Sequence, residues 1–291
     1  MGPEGHRADI LDLKPCCGPQ RVISAGWDGV LCLWDARTGE RLDLLEGHAG
    51  GIWAVETSSD GRWAASAGED GTLRIWDLEH RRECRHVLEG HRSRVRSVAM
   101  APGSPLAVSG SDDRTARVWD WRRGACIGCF EGHASDITVV RVAASGKRAV
   151  TASADRDIRV WDIGQGTLEN VLAGHTGAVT CLALTSDPCL AVSAGLDNTL
   201  RTWDLETGQC LHVMESHTDS VRTLSISPDE HWVLSGGQDC KVCLWNLETG
   251  ALVREVGRHD SAVRCVTFAP PVRPRLGRSQ RQPPPHNHTG G

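Results

Sequence analysis

Six times along this chain a histidine is followed by a hydroxyl residue 18 positions on, an aspartate at 22 and a tryptophan at 28. The sets are His6/Ser24/Asp28/Trp34, His48/Ser66/Asp70/Trp76, His91/Ser109/Asp113/Trp119, His133/Thr151/Asp155/Trp161, His175/Ser193/Asp197/Trp203 and His217/Ser235/Asp239/Trp245. Serine, histidine and aspartate are also the parts of a nucleophilic hydrolase, in which the hydroxyl attacks, the imidazole takes its proton and the carboxylate orients the imidazole. The multiplicity argues against that chemistry. A hydrolase needs one set on an exposed elbow, whereas here six sets each end on a tryptophan. The arrangement fits a structural network: Asp accepts from His, the hydroxyl bridges, and the indole N–H donates to it, so that polar groups inside a sheet keep partners. No catalytic residue is expected.

The elements that hold these sets repeat with them. Trp34, Trp76, Trp119, Trp161, Trp203 and Trp245 recur every 42 or 43 residues, five followed by Asp and the last by Asn246. A period of that length points to a repeat architecture. In the second unit Ile52–Glu56, Trp63–Ala67, Leu73–Trp76 and Cys84–Leu88 read as short strands, separated by turns such as Ser59-Asp60-Gly61 and Glu69-Asp70-Gly71. Four antiparallel strands per unit describe one blade of a β-propeller. The recurring Gly-His and Trp-Asp pairs resemble the WD-repeat (WD40) family over residues 5–268. The expected fold is all-β, a β-propeller with six complete blades and an orphan inner strand of a seventh.

The seventh unit begins with Arg258-His259 and the strand-like Ala262–Phe268, but the offsets from His259 then fall on Gly277, Arg281 and Asn287. None of these can play its part. Residues 270–291 contain six prolines, four arginines and no acid, and read as a disordered tail. The expected division is a propeller over 1–269 and a Pro/Arg-rich tail over 270–291. Two readings of the ring stay open: six blades close with the orphan strand beside the first, or the chain is a truncated seven-blade product without its own binding function.

The chain has 291 residues, 40% hydrophobic and 24% charged, with a formal charge of −5. A sizeable core is affordable, and nothing favours a nucleic-acid partner. No apolar run is long enough for a membrane span, and the N-terminus lacks a signal core. Twelve cysteines without such a signal imply reduced thiols, cytoplasmic or nuclear and not secreted. The pairs Cys126/Cys129 and Cys240/Cys243 are both expected on strands, where residues three apart face opposite ways, so no metal site is expected and no cofactor is implied.

The resemblance implies a protein–protein interaction scaffold or adaptor whose partners sit on the rim of the propeller's narrow top face. Five residues after each histidine the sequence has Leu11, Trp53, Arg96, Thr138, Thr180, Arg222 and Arg264. In WD-repeat receptors for phosphorylated segments arginines hold this place, so Arg96, Arg222 and Arg264, with Arg94 beside them, imply an acidic or phosphorylated ligand. Before each turn aspartate stand Trp27, Glu69, Asp112, Ala154, Leu196 and Gln238. Trp27 and Trp53 are expected as exposed aromatic anchors. Glu69, Asp112 and Asp136 are placed to counter arginines, which zones the rim into a mixed half and a basic half. On the opposite face, Trp34-Asp35-Ala36-Arg37 and Trp119-Asp120-Trp121-Arg122 fit the box of ubiquitin-ligase substrate receptors, implying an adaptor at Arg37 and Arg122.

Overall fold

In the computed structural model of the chain, residues 5–18, 20–80, 82–186 and 189–268 are described. Their regular structure is entirely β, in six four-stranded antiparallel sheets each laid down in chain order. Blade one is β1 (Ile10–Cys16), β2 (Arg21–Gly26), β3 (Leu31–Asp35) and β4 (Arg41–Leu45). Blade two is β5 (Ile52–Thr57), β6 (Trp63–Gly68), β7 (Leu73–Asp77) and β8 (Glu83–Leu88). Blade three is β9 (Val95–Met100), β10 (Leu106–Ser111), β11 (Ala116–Asp120) and β12 (Ala125–Phe130). Blade four is β13 (Ile137–Val142), β14 (Arg148–Ser153), β15 (Ile158–Asp162) and β16 (Thr167–Leu172). Blade five is β17 (Val179–Leu184), β18 (Leu190–Gly195), β19 (Thr199–Asp204) and β20 (Cys210–Glu215). Blade six is β21 (Val221–Ile226), β22 (Trp232–Gly237), β23 (Lys241–Asn246) and β24 (Leu252–Arg258).

The inner strands pack in sequence, β1 on β5, β5 on β9, β9 on β13, β13 on β17 and β17 on β21. Among the described residues no comparable packing joins β21 back to β1. Each junction is closed by the tryptophan of one blade lying on the blade before it. Trp76 joins Ile23, Leu31 and Leu45 of blade one, and Trp119 joins Ile75 and Leu88 of blade two. Trp161 stacks on Phe130 with ring centroids 4.9 Å apart. The second strands are rich in Ala, Ser and Gly, as in WAASAG and LAVSGS, so neighbouring sheets approach closely around each indole. Burying a side chain of this size contributes about 1.5–3 kcal/mol.

Every inner strand carries a bulge at the same place. Pairing runs from Ile52↔Gly68 directly to Ala54↔Ala67, skipping Trp53. The skipped residues in the other blades are Leu11, Arg96, Thr138, Thr180 and Arg222. A bulge leaves one residue out of the ladder and re-aims its side chain. The row five residues after each histidine is therefore turned out of the pleat by backbone geometry.

The expectation of a twenty-fifth strand is corrected. Residues 259–268 form no strand and join no ladder. They are tied to blade six, where the N–H groups of His259 and Val263 donate to the carbonyls of Cys240 and Gly237 at 2.8 and 3.0 Å. The Val266 N–H donates to Thr223 Oγ1 at 3.2 Å, the same link that Val55 makes to Asp12 and Val140 makes to Ser97. The segment thus holds the place of a seventh inner strand. The tail expected over 270–291 lies outside the described residues.

Candidate interaction rim

All six tetrads form. Histidine Nδ1 lies 2.7–3.1 Å from the aspartate carboxylate. Nε2 lies 2.7–2.8 Å from the Ser or Thr hydroxyl. The indole N–H donates to that same hydroxyl at 2.8–2.9 Å. The consistent assignment is a neutral imidazole: Nδ1–H donates to Asp, and the hydroxyl donates to Nε2 while accepting from Trp. Each carboxylate also accepts the backbone N–H after its histidine, at 2.8–3.0 Å. The residue after the aspartate is left-handed in every blade, including Arg114 at φ 71° and Arg156 at φ 81°, which folds the carboxylate back toward the histidine.

The electrostatics agree with that protonation state. Burial pushes His48, His133 and His175 below the ordinary imidazole value, against the pull of their aspartates. Burial opposes the ionised form of Asp70, but the Ala49 N–H, His48 and Thr72 outweigh it and hold the pKa at about 2. Ser24, Ser66, Ser109, Thr151, Ser193 and Ser235 are fully buried, so no substrate reaches these hydroxyls from solvent.

The rim holds two unlike regions. On blades one to three, Trp27 and Trp53 meet edge to face with centroids 5.0 Å apart. The Arg96 and Arg94 guanidinium carbons sit 5.1 and 5.9 Å from the centre of the Trp53 ring. Both arginines also pair with Asp112, and Arg96 reaches Asp136 at 3.9 Å. Glu69 Oε2 accepts the Gly51 N–H at 3.4 Å, and Trp27 lies so close over Gly51 that a Cβ there would collide with the indole. Trp27 is exposed, but Trp53, expected as an exposed anchor, is half-buried beneath the arginines. Arg94 and Arg96 are engaged in a self-contained aromatic, cationic and acidic cluster.

Around blade six the picture reverses. Arg222 and Arg264 are exposed, make no ion pair among the described residues, and line with Gln238 an open cleft of about 430 Å³. Between the two regions, Thr138 and Thr180 turn to the next blade and donate to the carbonyls of Val179 and Val221, each at 2.6 Å. Gln238 stands in the row before the turn aspartates, but only its place beside Arg222 and Arg264, from different repeats, makes it a rim contact.

On the opposite face Arg37 and Arg122 are exposed, and Arg122 lies 5.3 Å over the Trp121 ring. Cys126 and Cys129 lie on β12 and are both exposed. Cys240 is not on a strand as expected: it is the left-handed turn residue after Asp239, just before β23. Among the described residues no group of His, Cys, Asp or Glu is arranged to hold a metal, and no helix is long and apolar enough to cross a membrane.

Six blades closed by a repeated polar network, with a variable rim above it, define a repeat-built propeller of the scaffold class. The WD domain, G-beta repeat family matches residues 3–35, 39–77, 82–120, 124–162, 166–204 and 208–246, and the chain belongs to that family. It is similar to eukaryotic translation initiation factor 3 subunit I of Eremothecium gossypii, 29% identical over 72 residues covering 25% of this chain and 21% of that protein. The Schizosaccharomyces pombe subunit I is 30% identical over 76 residues, 26% of this chain and 23% of its own length. The Aspergillus niger protein is 29% identical over 75 residues, 26% and 22%. The matched stretch thus spans under a quarter of each relative's length.

Proposed function

We propose that the protein is a non-enzymatic scaffold that holds an acidic or phosphorylated segment of another protein on its top rim. Arg222 and Arg264 make the anion contact, and Trp27 supplies the aromatic anchor. The observation that carries this reading is the exposed, uncompensated pair Arg222 and Arg264 around one cleft, on a chain of net charge −5. Guanidinium forks match carboxylate and phosphate oxygens two at a time. Arg94 and Arg96 belong to the same surface, but Asp112 already takes their charge, so they shape the aromatic end. The tetrads are framework, and twelve free thiols support a reducing compartment, cytoplasm or nucleus. The relatives are subunits of a named assembly, which supports a place for this chain within a multiprotein complex.

Affinity capture with mass spectrometry tests the reading, comparing wild type with Arg222→Ala/Arg264→Ala and Arg94→Ala/Arg96→Ala variants that melt at the wild-type temperature. Specific partners are expected to disappear with the first pair and to persist with the second. Partners that survive loss of Arg222 and Arg264 would place the binding surface elsewhere.

A further inference from the structure

The repeat provides its own control for judging which thiols have a setting of their own. In blades two, four and five the arginine two residues before the strand tryptophan faces a valine across the ladder: Arg74↔Val87, Arg159↔Val171 and Arg201↔Val213. Blade three puts a thiol there instead, since Arg117 faces Cys129. Pairing then runs from Val118↔Gly128 directly to Trp119↔Cys126, and the bulge leaves Ile127 out of the ladder. Cross-strand partners share a face, and so do Arg117 and Trp119, two apart on one strand. Cys126 and Cys129 therefore lie on the same face of β12, and the opposite orientation expected for residues three apart is corrected by the bulge. The Arg117 guanidinium serves both thiols: Nη1–H donates to Cys126 Sγ at 3.7 Å, and its charge acts on Cys129. It is seated against Gly90, where a Cβ would come within 3.0 Å of Nη1. Both thiols are exposed.

We infer that Cys126 and Cys129 form a redox-responsive dithiol, oxidised by a hydroperoxide to a reversible disulfide on the outer strand of blade three. Reactive thiols sit beside cations and next to a second thiol that resolves the oxidised sulfur. The Cys126 thiolate attacks the hydroperoxide, the O–O bond breaks, and Cys126 becomes a sulfenic acid while the other oxygen leaves, protonated, as water or an alcohol. The Cys129 sulfur then attacks that of Cys126, the S–O bond breaks, and the hydroxyl leaves as water with the Cys129 proton. Two electrons pass from the thiols to the peroxide. Partial burial pushes the Cys129 thiol up against the pull of Arg117, which leaves Cys126 to react first. Ladder partners of residues two apart stand about 6.8 Å from one another, at the upper end of what a disulfide spans. β12 is the outermost strand of its sheet, bonded on one side, and can close that gap. Cys210 is the built-in comparison. It is exposed and accepts from Arg201 Nη1 at 4.0 Å, but Arg201 faces Val213 in place of a second thiol.

The test treats the reduced full chain with hydrogen peroxide, blocks the remaining thiols with N-ethylmaleimide and follows the tryptic peptides by mass spectrometry. Residues 124–141 form one such peptide and carry both Cys126 and Cys129, while residues 202–222 carry Cys210 alone. The expected result is loss of two hydrogens from 124–141, reversed by dithiothreitol, ahead of any loss of free thiol from 202–222. Cys129→Val, the residue that blades two and five hold at this place, is expected to stop Cys126 at a sulfenic acid that dimedone traps. Arg117→Gln is expected to slow oxidation of Cys126 severalfold, and should that variant unfold, the first two results decide. A wild-type Cys126 that reaches a sulfenic or sulfinic acid while Cys129 stays free overturns the proposal. So does oxidation of 124–141 no faster than that of Cys210, an unchanged rate in folded Arg117→Gln, or a disulfide that joins two chains.

Discussion

The junction between blades two and three and the space between blades six and one are built from the same repeat positions. In the first, Leu88 of blade two is covered by blade three and is 2% exposed. In the second, Ile10 and Leu13 of blade one are 53% and 52% exposed, whereas Val95 and Val98 at the same repeat positions of blade three are 0% and 3%. Residue type at a repeat position thus says what a side chain is suited to, while its energetic weight depends on the neighbour it meets. Identical chemistry is core at one place in the ring and surface at another.

The widest contrast is expected from truncation at these two places. Leu88→Ala should cost about 2–5 kcal/mol in urea unfolding, since it leaves a cavity under Trp119. Leu13→Ala should cost about 0.5 kcal/mol or less, as expected of an exposed site. Equal losses would mean that the flank of blade one is covered in solution.

A smaller contrast is expected within the tetrads. Ser109→Ala leaves the Trp119 indole N–H and His91 Nε2 without their common partner in a buried site, at about 1–3 kcal/mol. Ser24→Ala in blade one should cost less, because Trp34 is half-exposed and water can satisfy its N–H. Thermal melts of the two variants measure the difference.

Acid should weaken the folded state through both partners of the blade-two tetrad. Burial lowers the His48 pKa from its ordinary 6.5, so the unfolded chain takes up a proton first and stability falls as pH drops below about 6.5. Asp70 is lowered from 3.8 to about 2, and its contribution is fully present above 3.8 and lost as pH falls through about 2. Tm measured from pH 8 to pH 2 should therefore decline in two stages, and an Asp70→Asn variant should show a shallower second stage.

The least effect is expected at the turn residue after each aspartate. Arg114 is left-handed at φ 71° where blade two has Gly71 at φ 77°. Relief of that strain slightly exceeds the chain entropy that glycine adds, so Arg114→Gly should stabilise by about 0.5 kcal/mol. Calorimetry would resolve the gain, and a loss would mean that the Arg114 side chain makes a favourable contact of its own.

Much of this molecule is legible from spacing alone. The offsets from His48 to Ser66, Asp70 and Trp76 predict the hydrogen bonds that form, because all four residues lie within one blade and within one stretch of about thirty residues. The row of Leu11, Trp53, Arg96 and Arg222 is equally visible, since one bulge turns each of them to the rim. The zoning of that row was legible only in outline. Asp112 stands near the arginines in any alignment of the repeats, but that it takes both Arg94 and Arg96 depends on side chains converging from two strands above Trp53. Arg222 and Arg264 belong to different repeats, and their shared cleft exists because residues 259–268 lie against blade six.

By itself, then, the sequence determined the blade: its four strands, its buried network and the residues offered to the rim, all of which rest on interactions within one repeat. Only the tertiary structure decided which copies of a position are covered and which charges are neutralised. Those outcomes depend on neighbours in the ring, and a repeat that specifies every blade alike does not specify where the ring leaves a blade without a neighbour.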